Sequence, residues 1–394
     1  MITTGSLRPQ ASAFDFAEQI FGHLPRADQR RWAHAYLVGL LRTPGKKSVR
    51  RLAATISDSP TAAQSLHQFV NASPWEWEPA YAELMQWAER RLTPVAWTVD
   101  VAVMRKRGEH SCGVHRRFVP GTGRSVNCQV GIGGFLVTRQ EAIPVDWRLL
   151  LPGAWARDDE RRARARVPRE VTARGLERLA LDLVHDMSER TRLASVPVIA
   201  DLSAHSGTGA VVHGLSQRGD DFVVAVPGNL PLVVGRHLKA QRRNCAGPPL
   251  LLEAGRFFDP AFCGCGSLET LTCHDLQGGQ LAVQTGLVGL PRNGSPDLPP
   301  QRTYRLISVR SNRQRRAGRL WLSSMVHRRT EEVVGMVQLL ARTTQTMQAL
   351  DGSFGLQDFE GRSYPGWHHH MTLVTAAYAH SVLNMPGRKA ALAS

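Results

Sequence analysis

The sequence is poor in acidic residues and lacks the features that mark membrane or secreted proteins. It has 33 Asp and Glu against 49 Lys and Arg in 394 residues, which gives a formal net charge of +16. No apolar run approaches the roughly 20 residues of a membrane-spanning helix, and the N-terminal stretch has no signal-peptide core. Six cysteines are too sparse for a disulfide scaffold. We therefore expect a cytoplasmic protein that needs no disulfides and no membrane.

The positive charge indicates a polyanionic partner, and DNA is the partner we expect, with a nucleoid-associated location. A solvated charged surface is the alternative. At 42% hydrophobic and 21% charged, the composition is that of a globular protein. A second copy of the chain is a further candidate partner.

The chain changes character at Pro94. Before it, short amphipathic segments separated by turn signals such as Thr43-Pro44-Gly45 predict helices. After it, "VAWTVDVAVM", "NCQVGIGGFLVT" and "EAIPVDWRLLLP" predict strands, followed by helices near 171–187 and 209–217 that alternate with two more strands. This order predicts an α/β fold with a mixed sheet flanked by helices.

The same pattern predicts four segments. Residues 1–93 form a helical domain that binds DNA, and residues 94–230 form the first part of the α/β core. Residues 231–325 are rich in strand signals, Gly and Pro, and we expect a β-rich insertion there. Residues 326–394 supply two helices, about Glu331–Leu350 and His370–Leu383, that complete the core.

Two aspartates are the candidate catalytic and metal-binding residues. Asp100 lies inside one apolar strand and Asp201 ends another. A carboxylate in such a place is costly unless it is paired or binds a metal. Two aspartates on neighbouring strands, with a third acid from a later helix, would hold Mg²⁺ or Mn²⁺ for phosphodiester chemistry. The alternative is that both aspartates cap strands or loops.

The helix that should supply the third acid has none. Residues 333–350 contain no Asp or Glu. Helical spacing places Val333, Val337, Leu340, Thr344 and Met347 on one face, so Thr344 would point inward among apolar neighbours.

Several stretches resemble the insertion-sequence 701 family of transposases, which are DDE-type enzymes with an RNase H-like core. The resemblance spans nearly the whole chain. The stretches are "RRWAHAYLVGLL", "KKSVRRLA", "LHQFVNASPWEWEP", "WTVDVAVMRKRGEHSCGVHRRF", "NCQVGIGGFLV", "DWRLLLPGAWARDDERRARARVP", "VPVIAD" and "GLQDFEGRSYPGWHHHMTLVTAAYA".

The resemblance implies that Asp100 and Asp201 are the first two catalytic acids and metal ligands. It also implies an RNase H-like sheet, a helical N-terminal domain that binds transposon ends, and Mg²⁺-dependent DNA cleavage and strand transfer. The sequence departs from the family pattern where members carry Asp-Thr after the first acid, because Val101 and Ala102 stand there. It departs again after Asp201, where "LSAHSG" replaces a Gly-Tyr-Gly-like run.

The most serious departure is that Thr344 occupies the position of the catalytic Glu. The family's later Tyr and Lys fall at Met347 and Asp351. We expect a transposase-family DNA-binding protein with impaired or lost cleavage, which needs Mg²⁺ or Mn²⁺ only if it is active. One alternative is an active enzyme that uses a substitute acid from among Glu331, Glu332, Asp351 and Asp358. Another is a domesticated regulatory or protein-scaffolding role.

Basic residues in three stretches, with two near the C-terminal signature, are the candidate DNA contacts. They are Arg42, Lys46, Lys47, Arg50, Arg51, Arg105, Lys106, Arg107, Arg315, Arg316, Arg362 and His368.

Two Cys and His clusters are weaker candidates for metal sites. Cys263, Cys265, Cys273 and His274 lack the paired C-x₂-C spacing of well-marked zinc sites, so free thiols in a loop are the alternative. The three histidines of "WHHH" cannot easily share one ion on a helix, because adjacent residues point in different directions. We expect them to pack the helix or to contact DNA.

Overall fold

The computed structural model describes residues 8–119, 123–205, 207–234, 250–259, 268–275, 277–291, 302–311 and 318–384. The chain divides into two compact units. Unit 1 comprises Met1–Pro94, Val101–Ala194 and Arg342–Ser394, and unit 2 comprises Val95–Asp100 and Ser195–Ala341. Strand β1 (Ala96–Arg105) contributes to both, because the division falls after Asp100.

Unit 1 begins with the five helices that the sequence predicts. They are α1 (Arg8–Phe21), α2 (Ala27–Arg42), α3 (Val49–Ile56), α4 (Ala62–Asn71) and α5 (Glu78–Glu89). Helix α2 ends at the predicted turn, where Thr43 caps the helix and Gly45 adopts a positive φ of 63°. That conformation favours glycine, so the local sequence contains a signal that ends this helix.

The strands of unit 1 are the second part of β1, β2 (His115–Val119), β3 (Arg124–Val137) and β4 (Ala142–Leu149). Strand β3 lies between β1 and β2, and its second half pairs antiparallel with β4. Helices α6 (Gly153–Arg157), α7 (Asp159–Arg164) and α8 (Leu176–Arg190) follow. Glycines in β3 permit close packing, since a Cβ on Gly133 would lie 2.9 Å from the Trp147 ring and one on Gly134 would lie 2.5 Å from the Met187 sulfur.

Two further helices close the described chain, α11 (Leu340–Ser353), which belongs to unit 1 from Arg342 onward, and α12 (Tyr364–Leu383), which lies wholly in unit 1. Helix α12 starts six residues earlier than the predicted His370. Ser363 accepts a hydrogen bond from the Gly366 amide, and Pro365 stands in the first turn. Both features favour a helix start at this place. Most of α12 is buried, which identifies it as the central helix of unit 1.

Unit 2 contains the first part of β1, β5 (Val198–Asp201), α9 (Thr208–Arg218) and β6 (Phe222–Val226). The predicted β-rich segment contains β7 (Pro231–Val234), β8 (Leu250–Glu253), β9 (Glu269–His274), β10 (Gln280–Gly289), β11 (Thr303–Ser311) and β12 (Arg319–Ser323). Helix α10 (Thr330–Gln338) follows. The strand order is β1-β5-β6-β12-β11-β10-β7-β8, with β9 also pairing β10.

Strand direction changes within unit 2. Strands β1, β5 and β6 are parallel, whereas β6 and β12 are antiparallel, as are the pairs among β7 to β12. The predicted α/β class with a mixed sheet and flanking helices is therefore confirmed, and so is the helix predicted near 209–217. The four-segment division of the chain remains a prediction.

Candidate active site

Asp100 and Asp201 lie side by side in unit 2. The parallel register pairs Val99 with Ala200, and the two aspartates are the next residue on each strand. Side chains at paired positions of a parallel sheet point to the same face, and neighbouring strands lie about 4.8 Å apart. The structure thus brings the two predicted acids close together, with Asp100 in the middle of β1 and Asp201 at the carboxyl end of β5. Both are partly exposed, so the pair is open to solvent.

Both oxygens of Asp201 have partners. Ser203 donates to Oδ1 from its hydroxyl at 2.7 Å and from its amide at 3.3 Å. The Arg319 guanidinium donates to Oδ2 as an ion pair. Sequence reasoning missed Arg319, which ends the basic run Arg310–Arg319. Arg319 begins β12, and its partner is identified only by the order of the strands in the folded sheet.

The donor atoms around the two aspartates are of the kind that a hard divalent ion prefers. Two carboxylates and the Ser203 hydroxyl offer only oxygen, which Mg²⁺ and Mn²⁺ prefer. Among the residues that the structure describes, no group of three or more Asp, Glu, His or Cys side chains could hold a metal ion. The Arg319 guanidinium pairs with Asp201 at this place.

The structure corrects the predicted face that carries Thr344. Helix α10 ends at Gln338 and α11 begins at Leu340, so the helical phase is not continuous across this junction. In α11 the buried positions are Thr343, Thr346 and Leu350, whereas Thr344 is exposed. The proposed inward position of Thr344 among apolar neighbours is therefore wrong.

The candidate substitute acids are distributed over both units. Glu331 and Glu332 lie exposed in the first turn of α10 in unit 2. Asp351 is exposed on α11 in unit 1. Asp358, also in unit 1, accepts a hydrogen bond from the Lys47 amide at 2.7 Å through one of its two carboxylate oxygens.

The signature segment that follows α11 connects elements of unit 1. Lys46 pairs with Glu360 at 3.0 Å, and the Lys106 ammonium donates to the Gln357 and Phe359 carbonyls at 3.2 and 2.7 Å. A Cβ on Gly355 would lie 2.6 Å from the Lys47 side chain. The signature therefore joins the α2–α3 loop to the chain that follows β1, which is a structural role.

Two of the predicted DNA contacts are buried, and the structure corrects them. Lys47 is 4% exposed and its ammonium donates to the Leu40 and Thr43 carbonyls. His368 is 1% exposed and stacks on Trp77 with ring centroids 4.5 Å apart. Neither can reach a phosphate in this structure.

Lys106 is also engaged, and burial lowers its pKa to about 8. The remaining predicted contacts within the described residues are exposed, namely Arg42, Lys46, Arg50, Arg51, Arg105, Arg107 and Arg362. Arg315 and Arg316 lie outside the described residues.

The other two histidines of the triplet hold α12 in place. His369 has ring nitrogens 2.8 Å from the Val70 and Trp75 carbonyl oxygens. His370 has Nε2 2.9 Å from the Gly355 carbonyl oxygen and Nδ1 3.1 Å from the Tyr36 hydroxyl. Burial lowers the pKa of each to about 4. The three histidines therefore pack α12 against its neighbours, which is one of the two roles expected from the sequence.

The second candidate cluster is only partly described. Cys263 and Cys265 lie outside the described residues. On β9, Cys273 is buried and the adjacent His274 is exposed, as expected for successive strand residues that point to opposite faces. Cys273 and His274 therefore cannot direct their side chains toward one ion within this strand.

A basic cavity of about 490 Å³ lies in unit 1 near Arg362. Arg161, Arg164 and His110 also line it, together with the acids Glu109 and Asp158. The Arg161 guanidinium lies 4.2 Å from the centroid of Trp155, in cation–π geometry. Stacked guanidinium groups suit phosphate and base recognition, so this cavity is a second candidate functional surface.

Residues 19–267 match the family model described as DDE superfamily endonuclease, which is more than half of the chain. The chain therefore belongs to the DDE superfamily endonuclease family. The matched range contains Asp100 and Asp201 and ends before α11.

No curated protein matches the chain. Among solved structures, the chain is similar to the piggyBac transposase in its synaptic complex with hairpin DNA, with 12% identity and a TM-score of 0.44. The similarity covers 99% of this chain and 74% of that one. None of the helices in the described ranges is long and apolar enough to cross a membrane.

Proposed function

We propose that this chain is a DNA-binding protein of the insertion-sequence 701 transposase type whose DNA cleavage and strand transfer are impaired. One observation carries the proposal. Asp100 and Asp201 each follow the paired residues Val99 and Ala200 on neighbouring strands, while Thr344 stands where the resemblance places the third acid. A hydroxyl is a poor substitute for a carboxylate toward Mg²⁺, so metal affinity and catalysis fall together.

Charge supports the DNA-binding part of the proposal. The net charge of +16 favours a polyanion. Exposed cations on the α2–α3 region, namely Arg42, Arg50 and Arg51, provide one phosphate-binding surface. The cavity lined by Arg161, Arg164 and Arg362 provides another within the same unit.

If a divalent ion binds, Asp100 and Asp201 hold it, and Ser203 orients the Asp201 carboxylate through Oδ1. A metal at this place would polarise a phosphodiester and activate the attacking oxygen. The chain's own contribution is to hold the two carboxylates next to each other on neighbouring strands of the sheet.

The test is Mn²⁺ binding by isothermal titration calorimetry with three variants. We expect weak or no binding by the wild type and a gain of at least tenfold in affinity for Thr344→Glu. Gln345→Glu is the matched control, since it adds the same charge at the next exposed position of α11. Asp201→Asn should abolish any binding that Thr344→Glu creates.

Two results would redirect the proposal. Tight wild-type binding that Asp201→Asn removes would mean that another acid completes the site, and the active-transposase alternative would replace impairment. Equal binding by Thr344→Glu and Gln345→Glu would mean that Thr344 is not the third position. A regulatory or scaffolding role becomes the better account if duplex DNA binding shows no sequence preference beyond its salt dependence.

A further inference from the structure

The strand register places Arg319 on the same face of the sheet as the two aspartates. Asp201 pairs with Ala225 on β6, and Ala225 pairs with Trp321 on β12. Paired residues share a face, and residues two apart on a strand also share a face. Arg319 precedes Trp321 by two residues and therefore faces the same side as Asp201.

Reaching Asp201 requires Arg319 to cross one intervening strand. The partner of Asp201 on that strand is Ala225, which is fully buried and carries only a methyl group. Strands lie about 4.8 Å apart, so the span from β12 to β5 is about 10 Å, which an extended arginine can cover diagonally over a small residue. The ion pair with Asp201 is the observed result.

The Arg319 guanidinium reduces the repulsion between two carboxylates that the strand register places side by side. Two carboxylates on adjacent positions of neighbouring strands repel each other, and like charges opposite one another destabilise a sheet. A divalent ion would neutralise both. Arg319 supplies a positive charge from within the chain, and its side chain is 60% exposed against 24% for Asp201. An exposed pair of this kind is weak enough to be exchanged for another cation.

We propose that Arg319 is the resident counter-cation of the Asp100–Asp201 pair and that a divalent metal ion must displace it to bind. This inference rests on the proposed function, because it takes the two aspartates as the metal ligands. Arg319 thereby lowers the metal affinity of the site, in addition to the missing third acid.

The first experiment measures Mn²⁺ affinity by calorimetry at low salt in the otherwise wild-type chain, at Mn²⁺ concentrations high enough to detect weak binding. Arg319→Gln should raise the affinity by about tenfold, and Arg319→Lys, which keeps the charge, should change it less than threefold. Arg310→Gln is the matched control, because it removes one exposed positive charge from the same basic run. The gain should vanish when Asp201→Asn is added. Equal affinities for Arg319→Gln and Arg310→Gln would overturn the proposal.

A second measurement needs no metal. In EDTA, Arg319→Gln should lower the thermal midpoint relative to Arg310→Gln, since Asp201 then faces Asp100 without its guanidinium partner. The difference should disappear in the Asp201→Asn background. If Arg319→Gln and Arg310→Gln melt together, Arg319 is not the counter-cation, whatever the metal data show.

The two measurements separate this inference from the proposed function. If Asp201→Asn loses Mn²⁺ binding while Arg319→Gln does not change it, Arg319 is not the counter-cation. The proposed metal site would still be supported. If no variant binds Mn²⁺ but the thermal midpoints of Arg319→Gln and Arg310→Gln still differ in EDTA, there is no metal site for Arg319 to oppose. The displacement step is then lost, and the proposal is overturned.

Discussion

Two aspartates, one in each unit, pair with arginine in opposite ways. In unit 1, Asp146 is 1% exposed and pairs with Arg148 and Arg190, each about four-fifths buried. In unit 2, Asp201 is 24% exposed and pairs with Arg319, which is mostly in solvent. Of the two buried ion pairs of Asp146, the one with Arg190 joins β4 to α8. The exposed Asp201–Arg319 pair can exchange its partner for another cation. Burial therefore separates a structural carboxylate from a candidate catalytic one.

The largest expected effect comes from breaking the buried pair. Asp146→Ala leaves two buried guanidinium groups without their shared carboxylate, and removal of one partner from a buried ion pair costs about 3–5 kcal/mol. Urea unfolding followed by circular dichroism measures the loss. Asp28→Ala, in an exposed pair with Arg26, is the control and should change stability by less than about 0.5 kcal/mol. A similar loss in both variants would contradict the contrast drawn between buried and exposed pairs.

Acidification should weaken unit 1 through the buried histidines. His369 and His370 have pKa values lowered from 6.5 to about 4 by burial. Between about pH 6.5 and pH 4 the unfolded chain therefore binds more protons than the folded one. The free energy of unfolding falls as the pH drops through this range. Each histidine contributes up to about 3 kcal/mol over that range.

Urea midpoints at pH 7, 6 and 5 measure this dependence. His370→Gln should flatten it, because one of the protonations is removed. His67→Gln, at an exposed position of α4, should leave the slope of the wild type unchanged. An unchanged slope in His370→Gln would show that this ring is not neutral in the folded protein.

Breaking the exposed pair should cost little stability, which sharpens the comparison with Asp146. Asp201→Asn loses an ion pair that is worth at most about 1 kcal/mol at an exposed site and relieves repulsion with Asp100. We expect a net change below about 1 kcal/mol by urea unfolding. A loss comparable to that of Asp146→Ala would make Asp201 a structural residue.

The smallest effect concerns DNA. Arg50 is exposed in the basic α2–α3 region, and Arg50→Gln should reduce the slope of log affinity against log salt by about 1. Fluorescence anisotropy with a labelled duplex measures the slope. Arg169→Gln removes an exposed charge elsewhere in unit 1 and is the control. Equal slopes for both variants would mean that the net charge of the protein sets the salt dependence of DNA binding, and that the position of Arg50 does not matter.

The predictions from sequence succeeded where local chemistry was enough. Pro44 and Gly45 end α2, and the lone acids in apolar strands identified Asp100 and Asp201. They failed where packing decides. Lys47 and His368 have the side chains of DNA contacts, yet the carbonyls around Lys47 and the Trp77 ring over His368 bury them. The break at Leu339 shifts the helical phase, so Thr344 is exposed.

The amino-acid sequence by itself determined the mixed α/β class, the positive charge, the order of most elements and the absence of an acid between residues 333 and 350. Those properties depend on composition and on contacts within a few residues. The tertiary fold was needed to show that Asp100 stands beside Asp201, that Arg319 reaches Asp201 from the far side of β6, and that the signature segment connects elements of unit 1. Strand register and burial join residues far apart in the chain, and no local pattern specifies those pairings.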